Sequence, residues 1–370
     1  MALIILIIVI FLAFANGAND NFKGVATLFG SKVANYKTAL FWGTFTTFLG
    51  SVTAIFLAST LVTQFSGKGM IPENIVGNAN FILAVVIGAT TTVLLATKIG
   101  MPISTTHGLL GGIFGAGLIA AGTDFNYLKL TNSFFLPLVF SPVIAALLSI
   151  VLYYFFKRLR KKLNISRDTC VCIGKEYIPV YQSSDSCDCY EFTTTSNTVK
   201  IADTNECVEV YGGKLIGISV NRAVSITHFI SAGWVSFARG LNDTPKIVGL
   251  IIGLELLQVE WSMLLIGLFM ALGAIINARK VADTMSNKIT NLNQGQGLTA
   301  NLITGGLVTL ASVFALPVST THVSVGAIFG MGITSKKRKT GMIKKIILSW
   351  VLTLPLAAIV AGGAYYLLRI

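Results

Sequence analysis

Charge is scarce in this chain of 370 residues: 12% of positions are Asp, Glu, Lys or Arg, against roughly 25% in soluble domains. Acid is scarcer still, with 15 carboxylates against 28 basic residues. Eight of those 15 (Asp168, Glu176, Asp185, Asp188, Glu191, Asp203, Glu206 and Glu209) fall in one polar segment, 163–214, which also holds all five cysteines. The rest of the chain therefore has no thiols, only three histidines and few acids. Neither a zinc ligand set nor a nucleophile-base-acid arrangement can be assembled there, so an enzyme is not expected.

Apolar residues make up 54% of the chain, in stretches such as 38–62, 80–97, 133–156, 261–276, 298–316 and 343–368. A membrane span needs about 20 helical residues, which predicts an all-α polytopic membrane protein of about ten crossings or part crossings. The net charge of +13 sits in clusters at the ends of apolar stretches, at 157–162 and 336–339. There it reports the positive-inside bias rather than a nucleic-acid partner. Residues 1–15 resemble a secretory signal ending in Ala13-Phe14-Ala15, but they lack a basic start and run directly into a repeated motif. They are read as the first half of a membrane helix.

Two motifs occur twice, in the same order. Gly17-Ala18-Asn19-Asp20-Asn21-Phe22-Lys23 returns 223 residues on as Gly240-Leu241-Asn242-Asp243-Thr244-Pro245-Lys246. Pro102-Ile103-Ser104-Thr105-Thr106-His107 returns 215 residues on as Pro317-Val318-Ser319-Thr320-Thr321-His322. Such a pattern means duplication: a first transmembrane repeat at 1–157, a polar insertion at 158–214 and a second repeat at 215–370. Corresponding loops differ in charge as inversion requires. Lys32 and Lys37 face Glu255 and Glu260, the balanced loop 64–78 faces Arg279, Lys280 and Lys288, and loop 123–132 faces the 336–339 cluster. An inverted repeat with discontinuous or re-entrant helices follows, with both termini outside and the insertion cytoplasmic. The insertion reads as β-rich at 177–181, 190–195 and 207–211. Its cysteines are expected as reduced thiols, with metal binding or disulfides as alternatives; disulfides would require the opposite sidedness.

A carboxylate within an apolar stretch is costly and marks function by default. Asp20 and Asp243 are such carboxylates and are repeat mates. An ion pair with the lysine three residues on, Lys23 or Lys246, is the bland alternative for each. Gly, Asn and Pro around both acids suggest interrupted helices, whose carbonyls at Ala18 and Leu241 would join the side chains of Asn19, Asp20, Asn242 and Asp243 around a hard cation such as sodium. The Pro-x-Ser-Thr-Thr-His copies suit helix starts, where free amides, the helix dipole and the hydroxyls of Ser104, Thr105, Thr106, Ser319, Thr320 and Thr321 attract an anion. Asn21 and its mate Thr244 are grouped with that anion set. His107 and His322, like Lys23 and Lys246, are placed in a supporting layer, the histidines orienting the hydroxyls. His228 has no mate and is read as packing. Gly108, Gly111, Gly112, Gly115 and Gly117 permit close helix approach. A bound cation beside the carboxylates would raise the affinity for an anion, and the anion would do the same for the cation.

These paired motifs resemble the inorganic phosphate transporter (PiT) family, over nearly the whole chain except 157–214. The resemblance implies an inverted-repeat fold of about twelve helices and symport of inorganic phosphate with sodium or protons across a cell membrane, with Asp20 and Asp243 required. Where the family form has Asn three residues after the Asp, this chain has Lys23 and Lys246. An alternating-access, sodium-coupled phosphate symporter is the expected function. Proton coupling, or another oxyanion such as sulfate, is the alternative, and an anion channel stands behind both. Sodium is cargo rather than cofactor, no cofactor is expected, and homo-oligomerisation is left open.

Overall fold

The computed structural model describes residues 1–166, 168–184, 187–211, 215–335 and 340–370; the side chains of Cys187 and Cys189 and the basic cluster at 336–339 lie outside the described residues. Among the described residues, helices of 16 residues or longer fall into two matching sets of five. The first repeat contains α1 (Ala2–Gly30), α2 (Tyr36–Leu57), α3 (Ala79–Ile99), α4 (Thr105–Ala121) and α5 (Leu136–Lys162). The second contains α6 (Val220–Ile251), α7 (Val259–Asn277), α8 (Gln294–Val313), α9 (Thr320–Ser335) and α10 (Thr340–Arg369). Seven of the ten are long and apolar enough to span a bilayer. Of the other three, α6 carries Arg239, Asp243 and Lys246 along its buried length.

Helix ends follow from local chemistry. Asn35 and Asn78 accept amide hydrogen bonds at the starts of α2 and α3, and Asn293 forms a capping box with Gln296 at α8. The helix breaks of greatest consequence fall at the Pro-x-Ser-Thr-Thr-His copies. Gly100 and its mate Ala315 both adopt left-handed backbone (φ 72° and 53°). Pro102 and Pro317 follow, and the chain restarts as α4 and α9. In each repeat the result is a helical hairpin, α3–α4 or α8–α9, whose tip is buried.

Interruption at the Asn-Asp motifs is not found: α1 and α6 run unbroken through Asp20 and Asp243. Their small and amide residues serve to admit neighbouring elements, so the helical ladder survives. Pro245 alone disturbs it, since without an N–H it leaves the Leu241 carbonyl lacking its helical donor.

The repeats are interleaved. α10 of the second repeat lies against the α3–α4 hairpin of the first, and α5 of the first against α9 of the second. Glycine pairs four residues apart make the approach possible. A Cβ at Gly111 or Gly115 would stand 2.4 or 2.0 Å from the carbonyl oxygens of Leu354 and Ala358. Their mates Gly326 and Gly330 stand in the same relation to Pro142 and Ala146, at 2.3 and 2.5 Å.

Residues 154–227 form a second compact unit. It holds an antiparallel sheet of order β2-β1-β3, from β1 (Thr169–Ser184), β2 (Cys187–Asp203) and β3 (Leu215–Ser219). The strand expected at 207–211 is instead largely helical, in a short helix over Thr204–Val210. Its glutamates and Val208 face outward, while Cys207 and Tyr211, four apart, bury one face and Val210 packs beside them. The reduced-thiol expectation is corrected for Cys172 and Cys207, which are disulfide-bonded. Cys170 is free, with its sulfur within 4.8 Å of both others.

Candidate functional site

Asp20 and Asp243 lie near the middle of the buried faces of α1 and α6, and both hairpin tips meet them. In the first repeat, Thr105 Oγ1 donates to Asp20 Oδ2 at 3.1 Å, and Asn16 Nδ2 donates to Thr105 Oγ1 at 2.9 Å. Asn19 fastens the same tip: its Nδ2 donates to Thr97 Oγ1 and to the Met101 carbonyl, and its Oδ1 accepts from the Ile103 amide. The second repeat repeats the plan more loosely. Asn242 Nδ2 donates to the Val318 carbonyl at 3.3 Å, and Ser312 Oγ, the mate of Thr97, donates to Asn242 Oδ1.

The lysines join the repeats. Lys23 Nζ donates to Asp20 Oδ1, to Asn19 Oδ1 at 3.0 Å, to the Ile103 carbonyl at 2.6 Å and, across the repeat boundary, to Thr321 Oγ1 at 2.7 Å. Lys246 Nζ donates to the Val318 carbonyl at 2.5 Å and, across the boundary in the other sense, to Thr106 Oγ1 at 3.1 Å; Asp243 Oδ1 lies 3.6 Å away. Ile103 and Val318 are repeat mates, as are Thr106 and Thr321, so the two ammonium groups are related by the same pseudo-symmetry as the helices. Thr321 Oγ1 also donates to the Ile103 carbonyl at 2.9 Å. The two hydroxyl triplets are therefore brought together, as the anion reading requires.

A fifth charge completes the cluster. Arg239 is the repeat mate of Asn16 and is 1% exposed. Its Nη2 donates to Asn16 Oδ1 at 2.6 Å, its Nη1 donates to Asn21 Oδ1 at 3.1 Å, and its Nε lies 3.6 Å from Asp243 Oδ2. Three buried cations thus surround two buried carboxylates, leaving one net positive charge. Arg239 had no role in the sequence reading, since its mate is neutral and duplication could not reveal it. A cation within an apolar run was the available signal.

Some expected roles move. Ser104 and Ser319 cap α4 and α9, accepting from the His107 and His322 amides at 3.3 and 3.2 Å. Thr320 is buried at the same turn. The histidine rings do not orient the hydroxyls. Each donates through Nδ1 to a carbonyl of the opposite repeat's last helix, His107 to Trp350 and His322 to Leu138, and the rings meet edge-on with centroids 4.6 Å apart. Because a carbonyl only accepts, the proton sits on Nδ1 in both. Asn21 and Thr244 turn from the triplets toward α2: Asn21 Nδ2 donates to Thr44 Oγ1, and Thr244 Oγ1 donates to Ser51 Oγ. The Ala18 carbonyl stays inside an unbroken helix, whereas that of Leu241 is released by Pro245. His228 is buried away from the cluster's charges and shares a hydrogen bond of 3.1 Å between its Nε2 and Thr27 Oγ1.

Comparison with known proteins bears on the fold and the family. A solved structure described as a sodium-dependent phosphate transporter superposes with a TM-score of 0.76 at 24% identity, covering 100% of this chain and 98% of the other. Among curated relatives, the "Putative phosphate permease" of Pyrococcus abyssi is 28% identical over 100% of this chain and 98% of its own length. The "Probable low-affinity inorganic phosphate transporter" of Bacillus subtilis is 25% identical over 100% and 98%. The model of the phosphate transporter family matches residues 16–361, spanning both hairpins, both Asn-Asp motifs and the insertion between the repeats. The chain belongs to the phosphate transporter family.

Proposed function

We propose that this chain carries inorganic phosphate across the cell membrane by alternating access, the two repeats exposing one central site to each side in turn. The observation that carries the reading is the convergence of two helix starts, at Ser104–Thr106 and Ser319–Thr321, on one buried cluster with a net positive charge. First-turn amides lack helical partners and favour anions, and a fixed positive field in a region closed to water strengthens that preference. A singly charged phosphate neutralises the cluster, whereas a doubly charged sulfate leaves it negative. Counterflow of labelled phosphate in proteoliposomes tests the reading. Saturable exchange that sulfate inhibits only weakly is the expected result; non-saturable flux would indicate a channel, and equal competition by sulfate would indicate a general oxyanion carrier.

Symport with sodium is supported by the description of the solved neighbour and by the oxygen donors at Asn19, Asp20, Asn242 and Asp243. A specific observation favours a second reading, in which sodium is not the coupling ion: Asn19 Oδ1 and Asp20 Oδ1 already accept hydrogen bonds from the Lys23 ammonium, and Asp243 Oδ1 lies 3.6 Å from that of Lys246. Uptake driven by an imposed sodium gradient, compared with an imposed proton gradient, separates the two.

A further inference from the structure

We infer that Lys23 and Lys246 are tethered counter-ions that fill the cation positions of both repeats, so that this chain moves phosphate without binding sodium there. The inference rests on the phosphate reading for its consequence and on the site geometry for its cause.

The donor set at Asp20 is one a sodium ion would take: a carboxylate, an amide oxygen, a backbone carbonyl and a threonine hydroxyl. All four are held by one ammonium, with Asp20 Oδ1, Asn19 Oδ1, the Ile103 carbonyl and Thr321 Oγ1 all accepting from Lys23 Nζ. Such a group has three protons to share among these four oxygens, so every donor of the ammonium is engaged. At the second position the Val318 carbonyl and Thr106 Oγ1 accept from Lys246 Nζ, with Asp243 Oδ1 at 3.6 Å. Arg239 Nε lies at 3.6 Å on the other carboxylate oxygen, so that carboxylate faces two cations. All five charged side chains are between 1 and 4% exposed, which removes the water that would screen an added ion. A sodium ion sharing these oxygens would sit at contact distance from an ammonium of like charge.

Charge balance reaches the same end. Bound sodium at an Asp site would serve to cancel carboxylate charge before the anion enters. Here three buried cations already exceed two carboxylates, and a further cation at either site would meet net positive charge. The cation therefore belongs to the transporter and is not released on the far side. Sodium's gradient is not converted into phosphate accumulation at these sites.

Three measurements on the full chain test this. Phosphate counterflow by the wild type in proteoliposomes should be the same whether sodium or choline is the cation on both faces. The unfolding temperature of the detergent-solubilised wild type should not rise when choline chloride is replaced by sodium chloride. The variant Lys23→Asn with Lys246→Asn, which places a neutral amide at each position, should show counterflow stimulated about tenfold or more by sodium, within the usual range of coupling between two bound ligands. Wild-type counterflow that stops in choline, or a wild type stabilised by sodium, overturns the inference. If the wild type exchanges no phosphate in any cation, the phosphate reading fails, while the stabilisation assay still decides whether the cation positions are filled. A variant that does not fold leaves the two wild-type measurements to decide.

Discussion

At the residue scale, the pairing of Asp20 with Lys23 dominates the energetics of the site. Both side chains are 2% exposed, and removing one partner of such a pair strands the other in a poorly polarisable interior. Asp20→Asn is expected to destabilise the protein by about 3–5 kcal/mol, and the double variant Asp20→Asn, Lys23→Met to recover most of that loss while remaining inactive. Thermal unfolding in detergent, combined with phosphate counterflow, checks both halves. A single variant as stable as the parent would mean that Lys23 finds enough compensation in Asn19, Ile103 and Thr321. The acids and hydroxyls of this cluster were legible in the sequence because duplication set them apart from ordinary buried polar residues. The i and i+3 spacing also offered the pairing of each lysine with its aspartate, but not the lysines' hydroxyl partners, because Thr106 and Thr321 lie in the opposite repeats and periodicity within one helix cannot reveal a contact across two. Arg239 escaped for the opposite reason, standing alone where the first repeat has Asn16.

At the scale of elements, the sequence located the helix starts at Ser104 and Ser319 through Pro and the hydroxyl cap, and these are found. It misplaced the other break. Gly17, Asn19 and Asn242 weaken helix propensity by about 1 kcal/mol or less each, which tertiary contacts of a buried helix readily outweigh; only Pro245 removes a hydrogen bond outright. The glycines four apart on α4 and α9 signalled close approach without naming the partner, since the exchange of α10 and α5 between repeats is a property of the assembled chain. Gly115→Leu and Gly330→Leu should each prevent that docking, because the added side chain meets backbone carbonyls that have no room to withdraw. Overpacking of this kind costs about 1–3 kcal/mol or more, enough to broaden or abolish the monodisperse peak in size-exclusion chromatography. Gly363→Ala, where an added Cβ meets nothing within 4 Å, serves as the control.

At the scale of the molecule, two features bear on sidedness and pull in opposite directions. The basic residues at 157–162 end α5, just before the insertion, and the hairpins explain how they act. If each hairpin enters and leaves on the same side, each repeat crosses three times, by α1, α2 and α5 or by α6, α7 and α10. An odd number of crossings inverts the second repeat, as the charges of loops 31–37 and 252–260 require. The Cys172–Cys207 bond favours an oxidising compartment instead. The basic clusters carry more weight, because orientation is set during insertion by Lys and Arg beside the spans, whereas two thiols in bonding range are oxidised or reduced afterwards according to the side they reach. On that weighting we propose a cytoplasmic insertion with both termini outside. A C-terminal fusion to alkaline phosphatase should be active and the matching fusion to green fluorescent protein dark. The reverse pattern would place the insertion outside, make the disulfide its resident form, and require loops 31–37 and 278–293 to be basic on the outer face.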